Sequence, residues 1–369
     1  MAKMLKRLAG QALVAALVLG ACAAGVSGAA VLSRDDDPPK PPIAESISGS
    51  GSSAQEGAMD AWRAEFHRIH PDLEVQYKSS GSGAGIDDFI SGRTALAGSD
   101  VAMRPDEQVR ANRRCGRRAV HLPMVVGRIA LAYNLPSVPD LRLSPATAAG
   151  IFGGRITRWD DPRVAAENPG APLPRTRIRL FHRSDDSGTT HNFTAYLKAA
   201  GRWPHEPSRK WTGKGKGVAM SAGVIDAVRD TKNSIGYVEY GLATNAGLST
   251  AQVRNAGGEF VQLTPESAAT ALENARVVGE DGDLVVQLDY LTRAKGAYPI
   301  VLVTYAITCQ PNRDPLVRAF LLYAAGDAGQ SSLALYGYAP LPRDLLTRVR
   351  VQLDAMDDHT TTSSAPTEE

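Results

Sequence analysis

The chain of 369 residues is poor in aromatic side chains, which make up 6% of it, and in cysteine, of which it has three. So few rings exclude a surface built on stacking, of the kind that holds sugars, single strands or quaternary amines. Charge of one sign is lacking too: 41 basic residues stand against 39 acidic ones, so there is no field to hold a polyanion and nucleic acid is excluded as a partner. No apolar run can cross a membrane, since Leu8 to Leu19 offers about 12 residues where a span needs roughly 20. Nor is there a Gly-x-Ser-x-Gly nucleophile elbow, because Gly81-Ser82-Gly83 puts glycine where the serine would stand. What is present is 43% hydrophobic residues over a length that suggests two domains of roughly 150 residues each.

The N-terminus has Lys3, Lys6 and Arg7, then the short apolar run, then Leu19-Gly20-Ala21-Cys22. A basic start, a short apolar stretch and a small-residue cleavage site read as an export signal over residues 1–21. Leu-Gly-Ala-Cys resembles the bacterial lipobox, which makes Cys22 the expected site of lipid attachment; ordinary secretion with an unmodified Cys22 is the alternative. Loss of three basic groups with the signal takes the formal charge from +2 to about −1. Residues 22–45, with Arg34-Asp35-Asp36-Asp37 and Pro38-Pro39-Lys40-Pro41-Pro42, bury no core and read as an extended leash. At the other end, residues 353–369 lack apolar periodicity and read as a disordered tail.

Cys115 and Cys309 remain in the body. Export and an even count favour one disulfide over two buried thiols. A metal is not expected, since no second Cys or His lies at ligand spacing from either. A bridge between such distant positions puts both segments in one domain. Residues 46–126 plus 297–352 are then expected to form domain I, with 127–296 inserted as domain II.

Periodicity alternates between helix and strand. Met59, Trp62, Phe66 and Ile69 recur at helical spacing in 58–69, and Leu73 to Tyr77 alternates as a strand. Residues 86–90 read as a helix start, 128–135 as a strand, 144–152 as a helix, 178–182 as a strand before a helix after Asp185, and 234–239 and 300–308 as strands. Such alternation predicts an α/β fold with ligands at the carboxyl ends of strands.

Loops rich in Gly and Ser fall at strand-to-helix transitions: Gly49 to Ala54, Ser79 to Gly85, and Arg183-Ser184-Asp185-Asp186-Ser187-Gly188-Thr189-Thr190. Small residues at a helix N-terminus let an anion approach unpaired backbone N–H groups, and hydroxyls add donors. Each loop alone is explained as well by helix capping. Three such loops in one exported chain, one with Arg183, point to an anion site. Gly49-x-Gly51-x-x-Ala54 matches a dinucleotide fingerprint only in letters, with no companion motif. His182 as a base for Ser187 competes with a structural histidine at a strand end.

The segments Ser79 to Gly85, Ala97-Gly98-Ser99-Asp100, Arg183 to Thr189 and Ser234 to Tyr240, with Ile151-Phe152 and Trp159 to Pro162, together resemble the phosphate-binding proteins of the bacterial ABC phosphate-uptake system, the PstS family. The resemblance spans nearly all of 46–345. It implies a two-domain periplasmic-binding-protein (type II, Venus-flytrap) fold with the ligand cleft between the domains. It implies a monomeric, extracytoplasmic receptor that captures inorganic phosphate and delivers it to the membrane subunits of an ABC permease. No catalysis and no cofactor are implied. Carried over by position, it assigns phosphate binding to Ser53, the backbone of Ala54, Ser82, Asp100, Arg183, Ser187, Gly188 and Thr189, with Asp185 pairing Arg183. Two departures stand out: Ser53-Ala54 where relatives often carry Thr and a larger apolar residue, and Asp186 where some have Gly, so that Asp186 is expected to point away from a bound anion.

Physical chemistry makes sense of that set. Phosphate has five heavy atoms, so micromolar binding at about −8 kcal/mol approaches the limit of roughly −1.5 kcal/mol per atom for tiny ligands. Every oxygen must therefore be satisfied in a closed, dry site, with Arg183 as a cationic fork. Asp100 accepts from a P–OH, which sulfate lacks, and so is expected to exclude sulfate but not arsenate. The competing expectations are an exported hydrolase of the phosphatase type, which needs a poised nucleophile or metal not evident in the sequence, and a receptor for another oxyanion such as arsenate.

Overall fold

A computed structural model describes residues 45–273 and 275–356. The expected signal peptide, Cys22 and almost all of the leash lie outside the described residues. Positions 353–356, expected in a disordered tail, are folded, and the rest of that segment lies outside the described residues. A helix Arg343–Asp354 runs through position 353, and Leu353 and Met356 are fully buried, because these apolar side chains close one edge of the core.

The architecture is a curled α/β layer built on one long strand, Arg118–Asn134, buried along its whole interior. Its residues 118–128 pair antiparallel with Val301–Gln310, and its residues 129–134 pair antiparallel with Ser234–Glu239. Outward from Val301–Gln310 lie Leu96–Ser99, Glu45–Gly51 and Leu73–Ser79, the last three mutually parallel. Outward from Ser234–Glu239 lie Arg179–Arg183 and Lys216–Val218, also parallel. The carboxyl ends of both parallel sets carry the Gly/Ser loops, where open α/β sheets present ligand sites.

Apolar side chains form two large clusters along this strand. One gathers Ile47, Trp62, Phe66, Phe89, Val126, Ile307, Phe320 and Leu353. The other gathers Ile129, Leu131, Phe152, Trp159, Phe193, Ile235 and Leu302. The helix Glu56–Ile69 shows the local logic: Met59, Trp62 and Phe66 share one buried face, and the Trp62 indole N–H donates to the Gly329 carbonyl at 2.9 Å. Each such side chain contributes about 1.5–3 kcal/mol of burial.

Cys115 and Cys309 are disulfide-bonded, with Cα atoms 5.3 Å apart, and both pack against the first cluster. The bridge fastens the end of helix Pro105–Cys115 to strand Val301–Gln310.

The strand expected at 128–135 is only the second part of Arg118–Asn134. Its first part contains Pro123 and Gly127, which break a strand signature. Pro123 is tolerated because the ladder shifts register there: Val125 faces Thr304 while Pro123 faces Tyr305, leaving Met124 as the extra residue of a bulge.

Candidate functional site

The first wall begins where strand Glu45–Gly51 ends. Gly51 has φ +145, and a Cβ on it would lie 1.9 Å from the Gly98 carbonyl oxygen, so only glycine lets these strand ends close up. Beyond it, the Ser52 hydroxyl donates to Asp100 Oδ1 at 2.5 Å and accepts from the Ala54 N–H at 3.1 Å. The Asp100 and Gly188 N–H groups both donate to Ser82 Oγ at 3.2 Å. Asp100 follows strand Leu96–Ser99 and is 3% exposed.

The second wall is the turn into helix Gly188–Ala200. Ser187 Oγ accepts from the Thr190 N–H at 3.2 Å, which caps the helix and leaves the serine's own hydrogen to donate. The Thr189 hydroxyl donates to Asp100 Oδ2 at 3.2 Å. Arg183, 2% exposed at the end of strand Arg179–Arg183, forms a fork on Asp185, Nε to Oδ1 at 2.7 Å and Nη2 to Oδ2 at 2.5 Å. Its remaining terminal nitrogen, Nη1, donates to Ser221 Oγ at 3.2 Å.

The two acids are shifted in opposite directions for physical reasons. Burial pushes the Asp100 carboxyl up to about 6, against the pull of the Ser52 hydroxyl, the Arg183 charge, Thr189 and Ser82. Burial also pushes Asp185 up, but the Arg183 hydrogen bonds and charge outweigh it and hold Asp185 below the usual carboxylate range.

The structure thus brings Ser53, Ala54, Ser82, Asp100, Arg183, Asp185, Ser187, Gly188 and Thr189 into one buried polar cluster. Within it the Ala54 and Gly188 N–H groups are spent on Ser52 and Ser82. Asp186 is held sideways: its Oδ1 lies 2.9 Å from Arg209 Nε as a charge contact, and a Cβ on Gly83 would lie 2.3 Å from its carboxyl carbon. Arg209 in turn reaches Glu107.

Several residues of the cluster had no signal in the sequence. Ser52 sits in a loop already singled out, but alternation along the loop does not reveal which serine faces Asp100. Ser221, Glu107 and Arg209 lie in other segments and meet the cluster only through the fold, while Asn192 stands one turn along helix Gly188–Ala200 with no motif to mark it. Asn192 donates to the Asp100 and Gly188 carbonyls at 2.7 and 3.0 Å, bracing the two walls.

His182 is not aligned with Ser187. Its ring stacks on Trp211, centroids 5.3 Å apart, and Nδ1 meets the Arg183 carbonyl at 2.9 Å, the arrangement of a structural histidine. Among the described residues no group of three or more His, Cys, Asp or Glu side chains is arranged to hold a metal ion.

A curled α/β layer with its polar cluster at the carboxyl ends of two parallel strand sets defines a periplasmic binding protein. A PBP superfamily domain is matched over residues 37–328. The chain is 40% identical over 322 residues to phosphate-binding protein PstS 3 of Mycobacterium tuberculosis, covering 85% of this chain and 87% of that one. It is 33% identical over 322 residues to phosphate-binding protein PstS of Haemophilus influenzae, covering 84% and 92%. The chain therefore belongs to the PBP superfamily, in its PstS phosphate-binding family. The fold is similar to that of a high-affinity periplasmic phosphate-binding protein solved with phosphate bound, with a TM-score of 0.66 at 21% identity over 83% of this chain and 93% of that one.

Proposed function

We propose that the chain is the extracytoplasmic receptor of a phosphate-uptake system, which captures inorganic phosphate and hands it to an ABC permease. The observation that carries this reading is the buried cluster itself: a guanidinium held by Asp185, a ring of hydroxyls and N–H groups, and a second carboxylate, Asp100, with two hydroxyl donors. Such a set suits a small oxyanion that carries both acceptor oxygens and a proton. Arg183 offsets its charge, Ser53, Ser82, Ser187, Thr189 and the backbone at Ala54 and Gly188 donate to its oxygens, and Asp100 accepts its P–OH. The N–H and O–H groups that pair with one another across the site are the donors the ligand would take over.

The receptor acts without catalysis in this reading. The engagement of His182 with Trp211 and the Arg183 carbonyl, rather than with Ser187, supports it. Residues 46–126 with 297–352 would move as one domain against 127–296, hinged near Val126 and Tyr298. The change of strand partner between Arg128 and Ile129 supports this, while the apolar clusters divide less cleanly: Ala268, Leu272 and Val286 pack with the first and Tyr298, Ile300 and Leu302 with the second. Cys22 would carry a lipid that tethers a monomeric receptor to the outer face of the cell membrane, as Leu19-Gly20-Ala21-Cys22 suggests.

Calorimetric titration of the purified chain tests the receptor reading: saturable 1:1 phosphate binding without hydrolysis of a chromogenic phosphate ester supports it. Absence of phosphate binding, or turnover of the ester, contradicts it. Arsenate, which also carries a proton, is expected to bind as well. Mass spectrometry of the exported protein, with Cys22→Ala as control, tests the anchor.

A further inference from the structure

Ser221 belongs to none of the Gly/Ser loops, yet it is fully buried against two of the residues assigned to phosphate. Its Oγ lies 2.9 Å from Ser53 Oγ and accepts from Arg183 Nη1 at 3.2 Å, while its N–H donates to Ser53 Oγ at 3.2 Å. We infer that Ser221 is a positioning residue that fixes the direction of a hydroxyl relay, Arg183 Nη1–H to Ser221 Oγ–H to Ser53 Oγ–H, so that Ser53 meets the anion as a donor. The inference rests on the phosphate-receptor reading and deepens it.

A serine hydroxyl has one proton and two lone pairs. Ser221 Oγ receives a hydrogen from Arg183, and its own proton has Ser53 Oγ as its acceptor. Ser53 Oγ then receives from both the N–H and the O–H of Ser221, which fills its lone pairs and releases its own proton toward the ligand. In the opposite direction Ser53 would spend its proton on Ser221 and turn a lone pair toward an anion, which is repulsive in a buried site. The Ser221 proton decides between the two directions. Were Ser53 to donate instead, Ser221 Oγ would accept from both Arg183 and Ser53 and its own buried proton would lose Ser53 Oγ as acceptor, whereas a chain of hydrogen bonds that starts on a cation polarises each following O–H.

The backbone holds Ser221 in place for this purpose. Met220, just before it, has φ +57, in the left-handed region that non-glycine residues rarely adopt. The Met220 N–H donates to Asp185 Oδ1 at 3.0 Å, the same oxygen that takes Arg183 Nε. Asp185 therefore sets Arg183 and Ser221 against each other, and the strained residue is where the chain accommodates that demand.

The test is phosphate affinity, measured by calorimetry on the full exported chain, for Ser221→Ala, Ser221→Thr, Ser53→Ala and the double variant Ser53→Ala/Ser221→Ala. Ser221→Ala is expected to weaken binding about 10- to 100-fold, the effect of losing a hydrogen bond linked to a charge. Ser221→Thr keeps the hydroxyl and restores affinity to within about threefold of wild type. The double variant should bind no more weakly than Ser53→Ala alone, because the relay ends at Ser53; a merely structural role for Ser221 would make the two losses add. Wild-type binding unchanged in Ser221→Ala, or additive losses, would overturn the relay alone. Failure of the wild type to bind phosphate would overturn the receptor reading and the relay with it.

Discussion

Arg209 and Glu107 form a buried ion pair across the site, Nη2 to Oε1 at 2.5 Å, with the side chains 6% and 2% exposed. Glu107 lies on helix Pro105–Cys115, which follows Asp100 of the first wall in the chain, and Arg209 follows helix Gly188–Ala200 of the second. The Arg209 carbonyl also accepts from the Ser187 N–H at 2.9 Å, so the pair is tied directly to the turn assigned to phosphate. Arg209 answers a departure from the family pattern as well, because it balances Asp186 at 2.9 Å.

A pair that joins the walls should govern how fast the closed site opens. Glu107→Gln removes one charge and leaves Arg209 with Asp186 alone, a change that in buried pairs costs about 3–5 kcal/mol when no partner remains and less when one does. The expected result is a phosphate dissociation rate raised by about tenfold or more with little change in association, read by stopped-flow release. An unchanged dissociation rate would mean that the pair does not restrain opening.

Arg183→Ala is expected to weaken phosphate binding by about 2–5 kcal/mol while the chain stays folded, since the guanidinium meets Asp185 and Ser221 but fills no apolar core. Asp185 then loses the partner that holds its carboxyl low, and its pKa should rise. Circular dichroism separates loss of fold from loss of affinity.

Selectivity against sulfate should depend on pH. The Asp100 carboxyl is pushed up to about 6 by burial, so it is ionised and acceptor-only above that value and becomes a donor as the pH falls through it. Sulfate competition against labelled phosphate should be negligible near pH 8 and grow below about pH 6. Asp100→Asn, which offers an amide donor at every pH, should admit sulfate without that dependence. The same raised pKa has a stability consequence of fixed sign: the folded chain holds the proton more tightly than the unfolded one, so this group's contribution falls as pH rises from about 4 to about 6.

Replacing both Cys115 and Cys309 by Ser should lower stability by about 2–5 kcal/mol, the usual loss for a native bridge in an exported domain. Phosphate affinity should survive, because the bridge is surrounded by Arg113, Arg114, Arg117 and Pro311 and none of the site's side chains. A loss of binding in a folded double variant would tie the bridge to the site.

Much of this was legible in the sequence where the signal is local. Strand Ser234–Glu239 has the expected bounds, and helix Glu56–Ile69 differs from expectation by two residues, because alternation and helical spacing are properties of neighbouring residues. The long strand was half hidden by Pro123 and Gly127, whose tolerance depends on a bulge set by a partner strand far along the chain. Loops rich in Gly and Ser announced where donors gather, but not their pairing. Ser52 rather than Ser53 holds Asp100, and the Ala54 N–H is already engaged. Ser221, Glu107 and Arg209 stand in segments with no motif, and only the meeting of the two walls gives them a part.

The most direct test of the site is a crystal structure of the exported chain with phosphate bound. The expected result is one phosphate enclosed between the walls, its oxygens within hydrogen-bond reach, about 3 Å, of Ser53, Ser82, Arg183, Ser187 and Thr189, and one of them at the same distance from an Asp100 carboxylate oxygen. Phosphate bound elsewhere, with Arg183 and Asp100 making no contact to it, would contradict the assignment.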